Sequence, residues 1–355
     1  MNNFERSVVM RYRVFGRTGV KVSSLALGTG MFGTGWGYGS ERAESKAIFD
    51  AYRAAGGNFI DTADSYQFGQ SESMLDEFIK TERDDIVLAT KFSLGASPKA
   101  GLQGTGNSRK AMVQCVEASL KRLGTDRIDL LWVHMPDGVT PSEEIARGLD
   151  DLVRAGKILY SGLSDFPAWR VATAATIAEL RGWAPISALQ IEYSLIERSV
   201  EGELLPMAAG FGLGTVGWSP LAGGLLTGKY RQGETGRKQG LGAVIHDEND
   251  LRKTATVDAV LAVASELGVS PGQVAIAWVL AKGVLPIIGP RTQAQLDDNL
   301  AALSVRLEPV QIARLDAASA VSLAFPQTLL MAESSRSRLA GGKADLLDYP
   351  SWPLP

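Results

Sequence analysis

Eight short apolar or β-branched runs alternate along this chain with longer segments of helical period, and no other feature limits the fold as much. The runs are SSLALG (23–28), NFIDT (58–62), DIVLATK (85–91), IDLLWVH (128–134), ILYSGLS (158–164), SALQIEY (187–193), GTVGWS (214–219) and VLPIIG (284–289). Between them, helical period occupies 43–55, 70–80, 107–123, 141–156, 168–182 and 201–210, several of these opened by Ser, Pro or Asp where a helix should start. Strands joined through helices run parallel, and eight such units close on themselves, so the expected fold is α/β, a (β/α)8 TIM barrel. A length of 355 residues would also allow two domains of about 150 each, but a barrel uses roughly 250 residues as one unit, and no Pro- or Ser-rich linker divides this chain. A single domain over 1–355 is therefore expected, with its core at 11–320. The structural alternative is an open doubly wound sheet. Its glycine fingerprint would lead from the first strand directly into a helix, whereas LGTGMFGTGWGYG runs on into polar loop. Two regions break the rhythm: 221–250, Gly-rich and polar, expected to form a long lid after strand 7, and a C-terminal tail at 321–355.

Composition narrows the partners. A formal net charge of −3 argues against nucleic acid. Cys115 is the one cysteine, set in a helical segment where an apolar thiol fills space, so neither an internal disulfide nor a cysteine-built metal site can form. No run reaches the roughly 18 apolar residues of a membrane span, and residues 1–15 carry Glu5 and interrupted apolarity. The expectation is a cytoplasmic protein with no membrane partner.

In a barrel the C-terminal ends of the strands face one mouth. Asp61 and Tyr66 follow the second run, Lys91 ends the third and His134 ends the fourth, so four ionisable groups converge from three neighbouring strands. A phenol of ordinary pKa about 10 donates a proton poorly at neutral pH, but a neighbouring ammonium favours the phenolate and lowers that value. Lys91 would tune Tyr66, Asp61 would keep Lys91 charged and oriented, and His134 would direct a carbonyl oxygen. The quartet makes a proton-donating pocket for a carbonyl.

These residues sit in motifs that resemble the aldo-keto reductase family of NADP-dependent barrels. The resemblance spans about 11–320: YRVFGRTGVKVSSLALGTGMFG, GGNFIDTADSYQFGQSE, LATKFS, LLWVHMPD, LSDF, LQIEYSLIER, GWSPLAGGLLTGKY and LPIIGPRTQAQLDDNLAAL. It implies an N-terminal hairpin that closes the barrel bottom, Tyr66 as general acid, and Asp61, Lys91 and His134 as its catalytic partners. By the same mapping Asp64 is structural, supporting the bend or a cap.

The resemblance also implies NADP(H) as cofactor. Gln190 would hold the nicotinamide carboxamide together with Ser164 and Asp165, and Trp218 would stack on the ring. Thr29, Gly30 and Asp61 would lie beside it, with Ser219, Leu221 and Gly223 along the pyrophosphate. Gly289, Arg291, Gln295, Asp298 and Asn299 would take the adenosine 2′-phosphate and adenine, the planar fork of Arg291 suiting a phosphate. One position departs from the family, which usually has Asn where this chain has Asp165; a carboxylate accepts the amide hydrogens but cannot donate to the amide oxygen unless protonated.

The leading function is hydride exchange between NADP(H) and a small-molecule carbonyl or alcohol substrate, in a mouth lined by Trp36, Trp132, lid and tail. Strand alternation puts Ser93, rather than Phe92, on the same side as Lys91. The alternative is a cofactor-binding, redox-sensing regulatory subunit with slow turnover. A metal-dependent hydrolase built on Asp61 and Asp64 is weaker, because only His134 could add a nearby nitrogen ligand. No metal is expected.

Overall fold

The eight apolar runs all form parallel strands. In the computed structural model, β3 (Ala26–Gly28), β4 (Phe59–Asp61), β5 (Val87–Phe92), β6 (Ile128–Val133), β7 (Ile158–Ser164), β8 (Ile186–Glu192), β9 (Gly214–Trp218) and β10 (Leu285–Ile288) close into a barrel in that order, β10 pairing back onto β3. The structure describes residues 9–236, 246–322 and 324–348; the middle of the expected lid and both chain ends lie outside the described residues.

Parallel strands covered on both faces need apolar side chains on both, which is why the runs read as nearly continuous. Inward-facing Phe59, Ala89, Leu130, Trp132, Ala188, Val216 and Leu285 fill the barrel, while a larger cluster packs between strands and helices. Trp132 is fully buried opposite Gly162, where an added Cβ would lie 2.4 Å from the indole ring. The absence of a side chain at Gly162 makes the space that Trp132 fills.

Among the described residues, the helices around the barrel are α1 (Arg42–Ala54), α2 (Gln70–Ile79), α3 (Arg109–Leu123), α4 (Ser142–Arg154), α5 (Ala168–Arg181), α6 (Leu204–Phe211), α7 (Leu251–Leu267), α8 (Pro271–Ala281), α9 (Gln293–Ala301) and α10 (Pro309–Ala318). The side chains of Ser108, Asp250, Ser270 and Thr292 accept from the first-turn N–H groups of α3, α7, α8 and α9, satisfying donors that would otherwise have no partner. Among the described residues no single helix is long and apolar enough to cross a membrane.

The N-terminal hairpin joins β1 (Tyr12–Val14) to β2 (Lys21–Ser23). Its Phe15 plugs the end of the barrel where strands begin, edge-on to Phe59 at 5.5 Å and against Gly214. Gly16 permits that approach: its φ is +56°, and a Cβ there would meet the Gly214 nitrogen at 2.4 Å.

After β9 come two short turns, Ala222–Thr227 and Lys229–Gln232, which open the lid. Arg231 ties this part to Glu248 and Asp258, and His246 Nε2 lies 2.7 Å from Glu192 Oε1 at the end of β8. The tail forms short helices at Gln327–Leu330 and Glu333–Leu339, with Gln327 donating to Glu203 at 3.1 Å.

Candidate active site

Asp61 ends β4, Lys91 lies one residue before the end of β5, and His134 follows β6, so adjacent strands bring the three to one level of the mouth. Tyr66 arrives on the bend after β4. That bend is tight: Gln67 and Phe68 have φ of +51° and +56°, unusual for residues with side chains. It is held by the Gln67 amide, which donates to the carbonyls of Gly30 and Tyr38 and accepts from the Trp36 N–H.

Lys91 organises the group. Its buried ammonium donates to Asp61 Oδ2 in a close ion pair, to the Thr62 carbonyl at 3.0 Å and to Tyr66 Oη at 3.0 Å. Burial opposes the charge, but Asp61 and Tyr66 outweigh it and hold the ammonium above the usual lysine range. The other oxygen of Asp61 accepts from Gln190 Nε2 at 2.9 Å, so both are engaged. The His134 ring stands edge-on to Tyr66 at 5.9 Å. Burial, assisted by Lys91, lowers the His134 pKa to about 3, so the imidazole is neutral at physiological pH.

The mouth holds a cavity of about 760 Å³ lined by Gly30, Trp36, Asp61, Tyr66, His134, Ser164, Asp165, Gln190, Trp218, Ser219, Leu221, Gly223, Gly289, Arg291, Gln295, Asp298 and Asn299 among others. It therefore gathers Tyr66, Asp61 and His134 with most of the residues singled out for a dinucleotide. Four of the expected site residues lie off its wall. Lys91 sits behind Tyr66. Thr29 is buried beneath the rim, bonded to Ser71 Oγ at 2.7 Å and to the Asp61 carbonyl.

Two substrate-pocket expectations are corrected. Trp132 faces into the barrel core, because Gly162 leaves room for its ring there. Ser93 is buried with φ +133°, its hydroxyl without a partner among the described residues; the chain leaves extended geometry right after β5, so alternation no longer applies. The lid contributes Lys229, Gln232 and Glu234 to the wall, while among the described residues the tail contributes none.

On the wall supplied by β10 and α9, the Arg291 guanidinium lies 4.8 Å from the centre of the Tyr38 ring, and its buried Nε has no hydrogen-bond partner among the described residues. The Gln295 carbonyl is occupied, accepting from the Arg291 backbone N–H at 2.8 Å, and Asp298 accepts from Gln273 at 2.7 Å. Across the mouth, Asp165 has φ +57° and accepts from Trp218 Nε1 at 3.1 Å and from Ser164 Oγ at 3.3 Å. The side chain opens onto the cavity, and desolvation by the surrounding walls raises its carboxyl to about 6 against those two bonds.

Tyr38 and Gln67 are functional neighbours that sequence reasoning passed over. Gln67 stood next to Tyr66 in SYQFGQSE, and a side-chain amide in a bend was the available signal. Tyr38 meets Arg291 only through the closure of β10 onto β3, which leaves no local trace.

Asp64 neither caps nor shares a site with Asp61. Its N–H bonds to the Lys91 carbonyl at 3.0 Å, while among the described residues its buried carboxyl, beside Glu72, Arg122 and Cys115, finds no hydrogen bond of ordinary geometry. Burial, with Glu72 adding, raises it to about 7. A carboxyl raised in the folded state binds more protons folded than unfolded, so its contribution is lost as pH climbs from about 4 through 7. Asp64→Asn removes that titration. Between pH 5 and 7 the variant should gain on the order of 2 kcal/mol relative to wild type in urea unfolding. Parallel pH dependences for the two proteins would contradict the assignment.

Comparison with known proteins gives the class to which this barrel and its mouth belong. The aldo/keto reductase family profile matches residues 24–320, and the chain belongs to that family. It is 37% identical over 330 residues to a norsolorinic acid reductase of Aspergillus flavus, covering 90% of this chain and 83% of the relative. It is 36% identical over 339 residues to a putative aryl-alcohol dehydrogenase of Saccharomyces cerevisiae, covering 90% and 89%. An uncharacterized oxidoreductase of Bacillus subtilis is 38% identical over 310 residues, covering 84% and 93%. The chain is thus an oxidoreductase of the carbonyl–alcohol type, in a family that generally uses NAD(P)H.

Proposed function

We propose that this chain reduces carbonyls with NADPH, and oxidises the corresponding alcohols in reverse, using Tyr66 to give and take the proton. The observation that carries the reading is the buried Lys91 ammonium bonded at once to Asp61 and to the Tyr66 hydroxyl on the wall of one large cavity. A phenol beside a fixed cation becomes a stronger acid, and the cation steadies the phenolate left after donation. Neutral His134, edge-on to the same phenol, offers an N–H to orient the carbonyl oxygen without adding a second charge.

The residues present fit a dinucleotide phosphate. Arg291 Nε is a buried donor with no partner among the described residues, and Gly223 and Gly224 turn the backbone with φ of +67° and +97° on the cavity wall. When bound, NADPH supplies the hydride. Arg291 would hold the 2′-phosphate, Gln190, Ser164 and Asp165 the carboxamide, and Trp218 one face of the ring. Trp36, edge-on to Tyr66 at 6.0 Å, gives the cavity an aromatic surface beside the proton donor, which suits an aryl aldehyde or ketone and agrees with the name of one relative, the putative aryl-alcohol dehydrogenase.

Screening NADPH oxidation over aryl and aliphatic carbonyls tests this: the aryl compounds should turn over faster, and no turnover with any carbonyl would reject the reading. Cofactor choice is checked by Arg291→Ala. A lost hydrogen bond to a charged group is worth about 1.5–3 kcal/mol, so the NADPH dissociation constant should rise on the order of 10- to 100-fold. NADH affinity should barely move, since it presents only a hydroxyl there. Equal losses for both cofactors would mean that Arg291 holds the fold or the adenine.

A further inference from the structure

We infer that Asp165 selects the redox state of the bound cofactor, its carboxylate on the cavity wall favouring the cationic oxidised nicotinamide over the neutral reduced one. The inference rests on the nicotinamide placement proposed above and deepens it.

The carboxylate is built into place. Asp165 follows β7 directly in left-handed backbone, its N–H donates to the Gln190 carbonyl at 3.0 Å, and its two oxygens accept from Trp218 Nε1 and Ser164 Oγ. Both of these donors are neutral. Among the described residues no cation forms an ion pair with Asp165: Lys91 acts on it only through space and is already paired with Asp61, while Glu192 adds further negative potential. Tyr66, His134, Gln190, Trp218 and Asp165 line the same cavity, so this uncompensated charge shares the compartment in which the proton donor works.

Carbonyl reduction moves two electrons and a proton as hydride from the dihydronicotinamide ring to the carbonyl carbon, while the carbonyl oxygen takes the Tyr66 proton. The cofactor is oxidised and its ring becomes a pyridinium cation as the carbonyl is reduced to an alcohol. A carboxylate next to that ring stabilises the product charge and leaves the neutral dihydro form nearly untouched. The asparagine usual in the family carries no such charge. The bound equilibrium is thereby drawn toward oxidised cofactor plus alcohol, at the expense of slow release of NADP⁺.

Asp165→Asn isolates the charge. Asparagine tolerates left-handed backbone and keeps an oxygen for the Trp218 N–H, so the fold is retained. Dissociation constants for NADP⁺ and NADPH would be measured at pH 8 by quenching of protein tryptophan fluorescence, for wild type and variant. Asp165 stays open to the cavity, so at an effective dielectric between that of water and of the interior a unit charge pair across one contact layer corresponds to a ratio change on the order of ten- to a hundredfold. The ratio of the NADP⁺ to the NADPH constant should rise by that factor in the variant, mainly through weaker NADP⁺ binding. A purely structural role would move both constants together, and an unchanged ratio overturns the inference while leaving the nicotinamide reading in place. Wild-type protein that binds neither form overturns both.

Discussion

Replacing Tyr66 with phenylalanine should lower carbonyl-reducing turnover by at least the roughly 10²-fold that lost acid–base catalysis removes, while NADPH binds as before. The substitution deletes one oxygen. Lys91 keeps its bonds to Asp61 and the Thr62 carbonyl, and the ring keeps its edge contacts with Trp36 and His134, so little else changes. A stopped reaction with intact fluorescence quenching by NADPH is the expected pair of results. Retained turnover would assign the proton to another group, and His134 is a poor candidate, because burial keeps it neutral at physiological pH and the N–H of a neutral imidazole is a far weaker acid than that of imidazolium.

Lys91→Met should be more damaging still, in two separable ways. It strands the Asp61 carboxylate, buried and bonded only to Gln190, and breaking a buried pair by removing one partner typically costs about 3–5 kcal/mol. It also takes the cation away from Tyr66, so whatever activity survives should move to higher pH, in both directions of reaction, as the phenol becomes a weaker acid. Unfolding in urea reads the first effect and the pH–rate profile the second. An activity loss with an unshifted profile would make Lys91 a structural residue.

How much of this was legible in the sequence follows from which forces are local. The strands were readable because parallel strands covered on both faces must be apolar throughout, and each of the eight runs became one, within a few residues of its expected ends. Asp61, Lys91 and His134 were readable because a strand end fixes which mouth a residue faces. Tyr66 was readable as part of the DTADSY bend, although its approach to Lys91 depends on positive φ at Gln67 and Phe68, which nothing in those residue types announces.

The misreadings have one physical origin: side-chain direction set by distant partners. Trp132 turned inward because Gly162, thirty positions on and one strand across, has no side chain. Ser93 left the expected face because strand geometry stopped at Phe92. Asp64 was expected to support the bend or a cap; its N–H does tie the bend to Lys91, but its carboxyl caps nothing, because its neighbours Glu72, Arg122 and Cys115 come from α2 and α3 and only their packing puts it in a dry layer. The pairing of Asp165 with Trp218 likewise joins β7 to β9 across an intervening strand.

The measurement that bears most directly on the account is label transfer from NADPH carrying deuterium at the transferable position of its ring, with an aryl aldehyde as acceptor. Wild-type protein should place one deuterium on the alcohol carbon for each NADPH oxidised, and Tyr66→Phe should do so at least roughly 10²-fold more slowly. NADPH that binds but never passes its label to the aldehyde, or a phenylalanine variant that passes it at the wild-type rate, would contradict the account.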